Sequence, residues 1–456
     1  MIKYLKSTFL VILVLFSPIA CQKVENSSRV VEVKWHLGSK QNYITPIENV
    51  ELPEDYNLSF IAHVARHGSR FMSSPNEDIA LFNLMNDANH KQQLTEAGQK
   101  LLEEVKELTM LQFGRYGRLT QLGRQEHFDM AKRLYQLDSA FFKSSNKLVG
   151  NATYKSRAQN SRASFIRGLK AEGVQDNWEK YDFEKGNDPL LRFHKITPKY
   201  KAYKDSAAWL NQINDIVNSD QYRKIATSVL PRYFKKEFLE QFENDDVFYL
   251  NGNDEKAISS QMDIVLALYE CFKISFAIPE NQRPDFMIFT HEQTKLLAKV
   301  GDIETFYEKG PGFPKRNTSY SNSIGLLMDL TNQLKLASEN KLDYQGYFNF
   351  AHAETTLPLL VYLNLNNANK KSNNVLHIDW SASDYAMMAT NITWMLLEKK
   401  EKQFIQIRFN EIPATLPIKS NKEGLYALED YVQYVESLVK PFQISDTNYK
   451  EIVSHF

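Results

Sequence analysis

Two cysteines in 456 residues exclude a disulfide-framed scaffold, and Cys271, set in an apolar helical pattern, reads as plain core. Net charge is missing as well. Lys+Arg and Asp+Glu each number 55, which excludes a nucleic-acid or polyanion binder acting through overall charge and makes any anion site a local one. Metal-binding patterns are also wanting. His63 precedes His67 by four residues, a spacing that brings ligands together on a helix, but the local pattern is strand and turn. The HEQTK stretch at His291 lacks the second histidine of a zinc-protease helix. No metal and no cofactor are expected. Between Lys170 and Pro279 strand signals are scarce. With 43% hydrophobic and 12% aromatic residues, the chain has material for a large core and two lobes, and disorder is disfavoured.

The first residues stand apart. Met1 to Cys21 carries Lys3 and Lys6, an apolar run from Phe9 to Phe16, and then Pro-Ile-Ala-Cys. This reads as a signal peptide, too short to span a bilayer as a mature helix. Cys21 directly after Ala20 resembles the lipidation cysteine of bacterial lipoproteins, with Pro18 departing from the usual aliphatic residue. The expectation is an exported lipoprotein of the periplasm or outer membrane and cell surface, attached to the membrane only through its lipid. An ordinary signal peptide cleaved nearby is the alternative. Residues 22–47 read as a tether without a motif.

The stretch Leu58 to Arg70, LSFIAHVARHGSR, organises the remainder of the chain. An apolar, β-branched run reads as a buried strand, and Gly68 reads as the point where the backbone turns at the sheet edge. His67 lies between Arg66 and Arg70. Two guanidinium forks beside an imidazole suit a phosphate dianion, because each can bond two phosphate oxygens and neither loses its charge. Burial among cations also disfavours the protonated imidazole and keeps a lone pair available.

Helical spacing is present at 76–86, 95–111 and 120–137, with Thr95 and Thr120 as N-caps. The echo of Leu94-Thr95-x-x-Gly98 in Leu119-Thr120-x-x-Gly123 reads as two capped helix starts rather than a repeat. A second strand, 148–154, ends in Lys155-Ser156-Arg157 before a helix at 160–169, another anion-friendly helix start. Helical patterns then dominate at 207–217, 236–242 and 258–276. Strands are expected at 286–290, 347–351 and 404–409, with helices at 292–300 and 385–398 between them. The strand at 347–351 runs into His352-Ala353-Glu354, and the helix after it is expected to start near Leu357-Pro358. The fold class is therefore α/β: a mixed, mostly parallel sheet flanked by helices, from 48–169 and 285–456, with an inserted helical lobe at 170–284.

The RHGxR turn, the basic turn at Arg157 and the HAE triplet together resemble the histidine acid phosphatase superfamily, and the HAE triplet is similar to its multiple inositol polyphosphate phosphatase branch. The likeness extends to Arg157–Phe165, Gly168-Leu169, Leu191-Arg192-Phe193, the YEKGPG stretch at Tyr307–Gly312 and His352–Leu360. It implies that His67 takes the phosphoryl group, that Arg66, Arg70, Arg157 and His352 hold the phosphate oxygens, and that Glu354 protonates the leaving alkoxide. Glu354 must then be protonated when the ester binds, and the charge of a polyphosphate would raise its pKa. Ser69 and Phe71-Met72-Ser73 depart from the usual threonine and aromatic-proline pair and put the adjacent subsite in question.

Lys155, Arg162, Arg192, Lys195 and Lys309 are the cations nearest the matched motifs and are candidates for a substrate's other phosphates. Arg162 is equally readable as an exposed helix residue. His291 is expected in the pocket wall. Gly310 and Gly312 fit either a close approach to substrate or a simple turn. Three functions remain in view: a phosphatase acting on inositol polyphosphates such as phytate, a broad acid phosphatase acting on sugar phosphates or nucleotides, and a lipoprotein that binds anions without turnover. The last is disfavoured, since binding alone needs neither a nucleophile nor a proton donor. Nucleic acid is not an expected partner.

Overall fold

The computed structural model describes residues 35–456 except 48–49, 145–146, 244–246 and 445–447. The expected leader 1–21 with Cys21, and residues 22–34 of the expected tether, lie outside the described residues. No helix among the described residues is long and apolar enough to cross a membrane.

The strands, in chain order, are β1 (Asn57–Arg66), β2 (Lys147–Ala152), β3 (Trp178–Asp182), β4 (Tyr249–Leu250), β5 (Lys256–Ile258), β6 (Tyr344–Ala351), β7 (Asn391–Lys399), β8 (Lys402–Phe409), β9 (Ile412–Pro413) and β10 (Tyr426–Ala427). β4 and β5 pair only with each other. The others form one sheet in the order β10-β8-β7-β1-β6-β2-β3, with β9 on β8. The block β1-β6-β2-β3 is parallel, while β7 joins β1, and β8 joins β7, antiparallel. The main helices are α1 (Glu77–His90), α2 (Glu96–Gln112), α3 (Gln121–Leu137), α4 (Ser156–Ala171), α5 (Gln261–Ser275), α6 (His291–Lys309), α7 (Ile324–Ser338), α8 (Ala353–Tyr362) and α9 (Leu428–Val439).

β1 is covered on both faces, as a central strand should be. Phe60, Ala62 and Val64 join Leu327 and Leu330 of α7, Leu357 of α8 and Tyr431 of α9 in one cluster. Ile61 and Ala65 join Met130 of α3 and Phe165 of α4 in another. Burial on two faces is why its sequence is a continuous apolar run instead of an alternation.

The same rule explains one reversal. Residues 385–398, expected to be a helix, hold all of β7 but its last residue. Ile392, Trp394, Met395, Leu396 and Leu397 are all buried, and a short run apolar on both faces carries no period by which to tell strand from helix. The strand expected at 286–290 does not form. Phe286, Ile288 and Phe289 are buried in the helical lobe, where Ile288 N–H turns back to Phe286 O at 2.9 Å and no strand lies alongside. Two boundaries also move. β3 extends the sheet from within the expected helical segment 170–284, and the lobe's core takes in Leu81 and Leu84 of α1 and Leu101 and Val105 of α2 beside residues of α5. α8 begins at Ala353, so Pro358 lies inside it rather than in its first turn.

Thr95 and Thr120 cap α2 and α3, each accepting a hydrogen bond from a glycine N–H three residues on. Those glycines have a further reason. A Cβ on Gly123 would lie 2.0 Å from Ser69 O, and one on Gly68 would lie 2.2 Å from Gly123 O. The turn after β1 thus rests directly on the first turn of α3, and Gly68 is required by that close approach, its φ not being positive. Gly123→Ala is expected to separate the two backbones and to cost about 1–3 kcal/mol, as overpacking does. Urea unfolding checks this, and an unchanged midpoint would rule the contact out as a constraint.

Candidate active site

Three parallel strands end side by side, with Arg66 in register with Ala351 and Ala152 with Phe350. Their carboxyl ends deliver His67, His352 and the start of α4 to one cavity of about 430 Å³, at the edge where open α/β sheets bind ligands. Arg66, His67, Arg70, Arg157, His352 and Glu354 all line it, so every residue expected at the core of the site is brought together.

The turn carrying them is held by a buried carboxylate. Glu126 of α3 accepts hydrogen bonds from Ser69 N–H at 2.7 Å, Ser69 Oγ at 2.7 Å and Tyr43 N–H at 3.0 Å. Gly68 N–H donates to Ser161 Oγ of α4 at 3.2 Å, and His67 N–H to Ala351 O at 3.0 Å. Behind it, buried His127 bonds Arg66 O through Nε2 at 3.1 Å. Sequence reasoning passed over Glu126, whose only signal was a carboxylate on the buried face of a helix.

His67 Nδ1 lies 2.9 Å from Gly68 O. A carbonyl can only accept, so Nδ1 carries the proton and Nε2 keeps the lone pair. Burial lowers the imidazole pKa well below its ordinary value, and Arg157, Arg66 and Arg70 add to this in that order. The His352 ring stands 5.4 Å from that of His67 and contacts Thr153 Oγ1 through Nε2 at 3.0 Å. Thr153 Oγ1 also accepts from Lys155 N–H at 3.4 Å, and His352 Nδ1 is buried with no protein partner, so that nitrogen is the one open to a bound group.

The guanidiniums are anchored at one end and open at the other. Arg66 Nη1 donates to Ser39 O at 2.7 Å and to Ala386 O, and Arg70 Nη1 donates to Phe71 O at 2.7 Å. Nε of Arg66, Arg70 and Arg157 is buried with no protein partner. Burial followed by repulsion from Arg157 and Arg66 presses the Arg70 pKa down to about 9, so the group remains charged at neutral pH and gains from an anion.

Glu354 sits in the first turn of α8 with Oε1 3.3 Å from Lys309 Nζ at the end of α6. Burial raises its pKa, but Lys309, then His194 and His352, outweigh this and hold it well below the ordinary carboxylate value. In the free protein Glu354 is therefore a carboxylate, and the sequence-based requirement for a protonated group is not met until something offsets Lys309.

The outer candidates divide. Lys309 lines the cavity. Lys155, Arg192 and Lys195 line a separate hollow of about 380 Å³ with Tyr154 and Lys185, where the Arg192 guanidinium lies 4.7 Å over the Tyr154 ring. Arg162 does not face the cavity: its Nη1 donates to Gly150 O and Tyr181 O, both at 2.9 Å, and it pairs with Asp182, tying β2 to β3. His291 does not line it either. It stacks on Trp35 at 3.7 Å at the start of α6, about 27 Å along that helix from Lys309. Gly312, with φ +68°, and Gly310, against Phe306 O, make the turn that ends α6.

The described part of the expected tether belongs to the site. Residues 38–40 form a short 3-10 turn whose Ser39 and Lys40 line the cavity, and Glu270 and Lys273 of α5 join them. Burial, then Arg70, lowers the Lys40 pKa well below its usual value. Nothing local in the sequence marks these residues, because they arrive from segments whose other residues are structural.

Residues 57–410 match the model of the histidine phosphatase superfamily (branch 2). Multiple inositol polyphosphate phosphatase 1 of Gallus gallus is 23% identical over 339 residues, covering 71% of this chain and 70% of that protein. The multiple inositol polyphosphate phosphatase of Bifidobacterium longum, solved with inositol hexasulfate, shares the fold at a TM-score of 0.75, with 21% identity over 87% of this chain and 96% of that one. The phytase of D. castellii shares it at 0.65, with 16% identity over 91% and 86%.

Burial lowers the pKa of His63 to about 3, of His127 to about 4 and of His194 to about 3, and those of His67 and His352 fall too. Unfolding frees these groups to bind protons below their ordinary value of about 6.5, so their contribution to stability is complete above that pH and is lost as pH falls toward the folded values. Urea midpoints without phosphate are expected to decline steadily below about pH 6.5. A flat profile would show that these rings are not held neutral.

Proposed function

The chain belongs to branch 2 of the histidine phosphatase superfamily, and from that premise we propose that it is a phosphomonoesterase hydrolysing inositol polyphosphates such as phytate through a phosphohistidine. The observation that carries the reading is the lone pair of His67 Nε2 in a cavity lined by Arg66, Arg70 and Arg157, with a carboxylate, Glu354, on the same wall as His352. In the proposed first step Nε2 attacks phosphorus, the ester P–O bond breaks, and Glu354 gives its proton to the leaving alkoxide. Water then attacks the phosphohistidine, Glu354 takes the water's proton, and the N–P bond breaks to release phosphate. Arg66, Arg70, Arg157 and His352 bind the equatorial oxygens, where positioning and charge do most of the catalysis.

The inositol polyphosphate assignment rests on the number of cations. Lys40, Lys273 and Lys309 line the cavity beyond the three arginines, so that six cationic side chains stand there beside the four carboxylates of Glu77, Glu270, Glu304 and Glu354. The Bifidobacterium longum relative, crystallised with inositol hexasulfate, supports the same substrate class.

His67→Ala is expected to abolish phosphate release from phytate, and Glu354→Gln to slow ester cleavage by about 10²- to 10⁴-fold while leaving phosphate binding largely intact. Release should continue in excess chelator, and acid quench should trap a phosphoenzyme in the wild type. Loss of activity with chelator, or failure to trap that species, would overturn the histidine mechanism.

We further propose that the protein is exported and acylated at Cys21. Radiolabelled palmitate should enter the wild type and not Cys21→Ser; equal labelling, or none in either, would reject the anchor.

A further inference from the structure

At the end of α6 four charged side chains form a row. Lys204 Nζ lies 2.5 Å from Glu308 Oε1, Glu308 Oε2 lies 3.1 Å from Lys309 Nζ, and Lys309 Nζ lies 3.3 Å from Glu354 Oε1. Lys309 is thus shared between a structural carboxylate and the one assigned above as proton donor. An ammonium has three N–H donors; one goes to Glu354, and Glu308 stands at ion-pair distance. The same side chain lines the cavity, so a further donor is available to an anion there.

We propose that Lys309 is a positioning residue that makes the proton donor answer to a second phosphate on the substrate: left to itself the ammonium holds Glu354 as a carboxylate, and a substrate phosphate bonding that ammonium lets Glu354 take up a proton from solvent. The inference rests on the reading of Glu354 as donor. A simple monoester fills the arginine cage but leaves the Lys309–Glu354 pair as it is. A polyphosphate supplies both the scissile group and the anion that offsets Lys309. Preference for polyphosphates then arises in the chemical step as well as in binding.

Other charges face this pair. Arg66, Arg70 and Arg157 act on Glu354 from the phosphate side, His352 and His194 from beside it, and Lys195 from the turn after His194. Tyr200, Glu304 and Glu308 surround Lys309. Any bound phosphate offsets most of the charge of the three arginines, and His194 is held neutral by burial, with its pKa lowered to about 3. Lys309 is the first among the charges that lower the Glu354 pKa, and it remains in place when a monoester binds.

The test is the pH dependence of kcat/KM, which reports the free enzyme and only the steps through phosphoryl transfer to His67. With glycerol 2-phosphate, Lys309→Met should move the alkaline limb upward by about one pH unit or more, the effect of removing one close opposite charge from a carboxylate. With p-nitrophenyl phosphate the limb should not move, because nitrophenolate leaves without a proton. Lys309→Arg keeps the charge and should keep the wild-type limb. The ratio of kcat/KM for inositol hexakisphosphate over glycerol 2-phosphate should fall about tenfold or more in Lys309→Met, the loss expected on removing a charge-assisted contact. A folded Lys309→Met whose limb coincides with the wild type overturns the proposal, and a raised KM for the hexakisphosphate alone would make Lys309 an anchor only. If the methionine variant does not fold, Lys309→Gln carries the same expectation. Glu354→Gln separates the two readings: wild-type turnover of glycerol 2-phosphate by that variant defeats the donor assignment, whereas slow turnover with an unmoved limb in Lys309→Met defeats this inference alone.

Discussion

Repulsion among three guanidiniums gathered beside one buried imidazole is the constraint that the rest of the site answers. Two like charges about 4 Å apart near a protein surface repel by about 4 kcal/mol, and burial adds to that cost. The fold holds them by neutral and remote means: backbone carbonyls of Ser39, Ala386 and Phe71 take the outer N–H groups of Arg66 and Arg70. Glu126 stands behind the turn and spends its oxygens on Ser69 and Tyr43. No carboxylate among the described residues forms a close ion pair with Arg66, Arg70 or Arg157. The free protein is thus left with an electrostatic deficit that a phosphate removes, a case of local instability kept where it is used.

The sheet and the helices contribute different things. Adjacent strand ends fix His67, His352 and the start of α4 to within the tolerance of a hydrogen-bonded ladder, which phosphoryl transfer in line requires. The opposite wall comes from α5, α6 and the turn at 38–40, elements held by side-chain packing. The groups proposed to meet the transferred phosphate stand on the rigid side. Those proposed to meet the remainder of the substrate stand on the side that sequence change can reshape without disturbing the sheet.

Legibility in the sequence divides along the same line. LSFIAHVARHGSR and GYFNFAHAE are contiguous, so a strand and the group at its tip could be read together, and Arg157 was marked by its helix start. Glu126, Lys40, Glu270 and Lys273 were not legible, because each is brought in by a contact far along the chain. Arg162 illustrates the opposite error. One turn beyond Arg157 it shares the helix but not the face, and the carbonyls of Gly150 and Tyr181 claim it. β7 was not legible because burial on both faces erases period, and Gly68, legible as the point where the backbone turns, carries a further constraint from the backbone of Gly123 two helices away in sequence.

The segment from Trp35 to Tyr43 crosses from the helical lobe to the sheet. Trp35 stacks on His291, Tyr269 Oη donates to His36 O at 2.6 Å, Gln41 O accepts from Met388 N–H at 2.8 Å, and Tyr43 Oη donates to Glu411 Oε1 at 2.6 Å. Every one of those partners lies more than two hundred residues further along the chain. A wall of the cavity that leaves the ribosome early is therefore among the last parts to find its place, since closing such loops must wait for the distant strands and helices. A partly synthesised chain carries RHG but neither the Ser39 anchor in position nor the HAE triplet, so it has no working site. Maturation of the enzyme is in this way tied to completion of its own chain, and no phosphatase acts before that chain is finished.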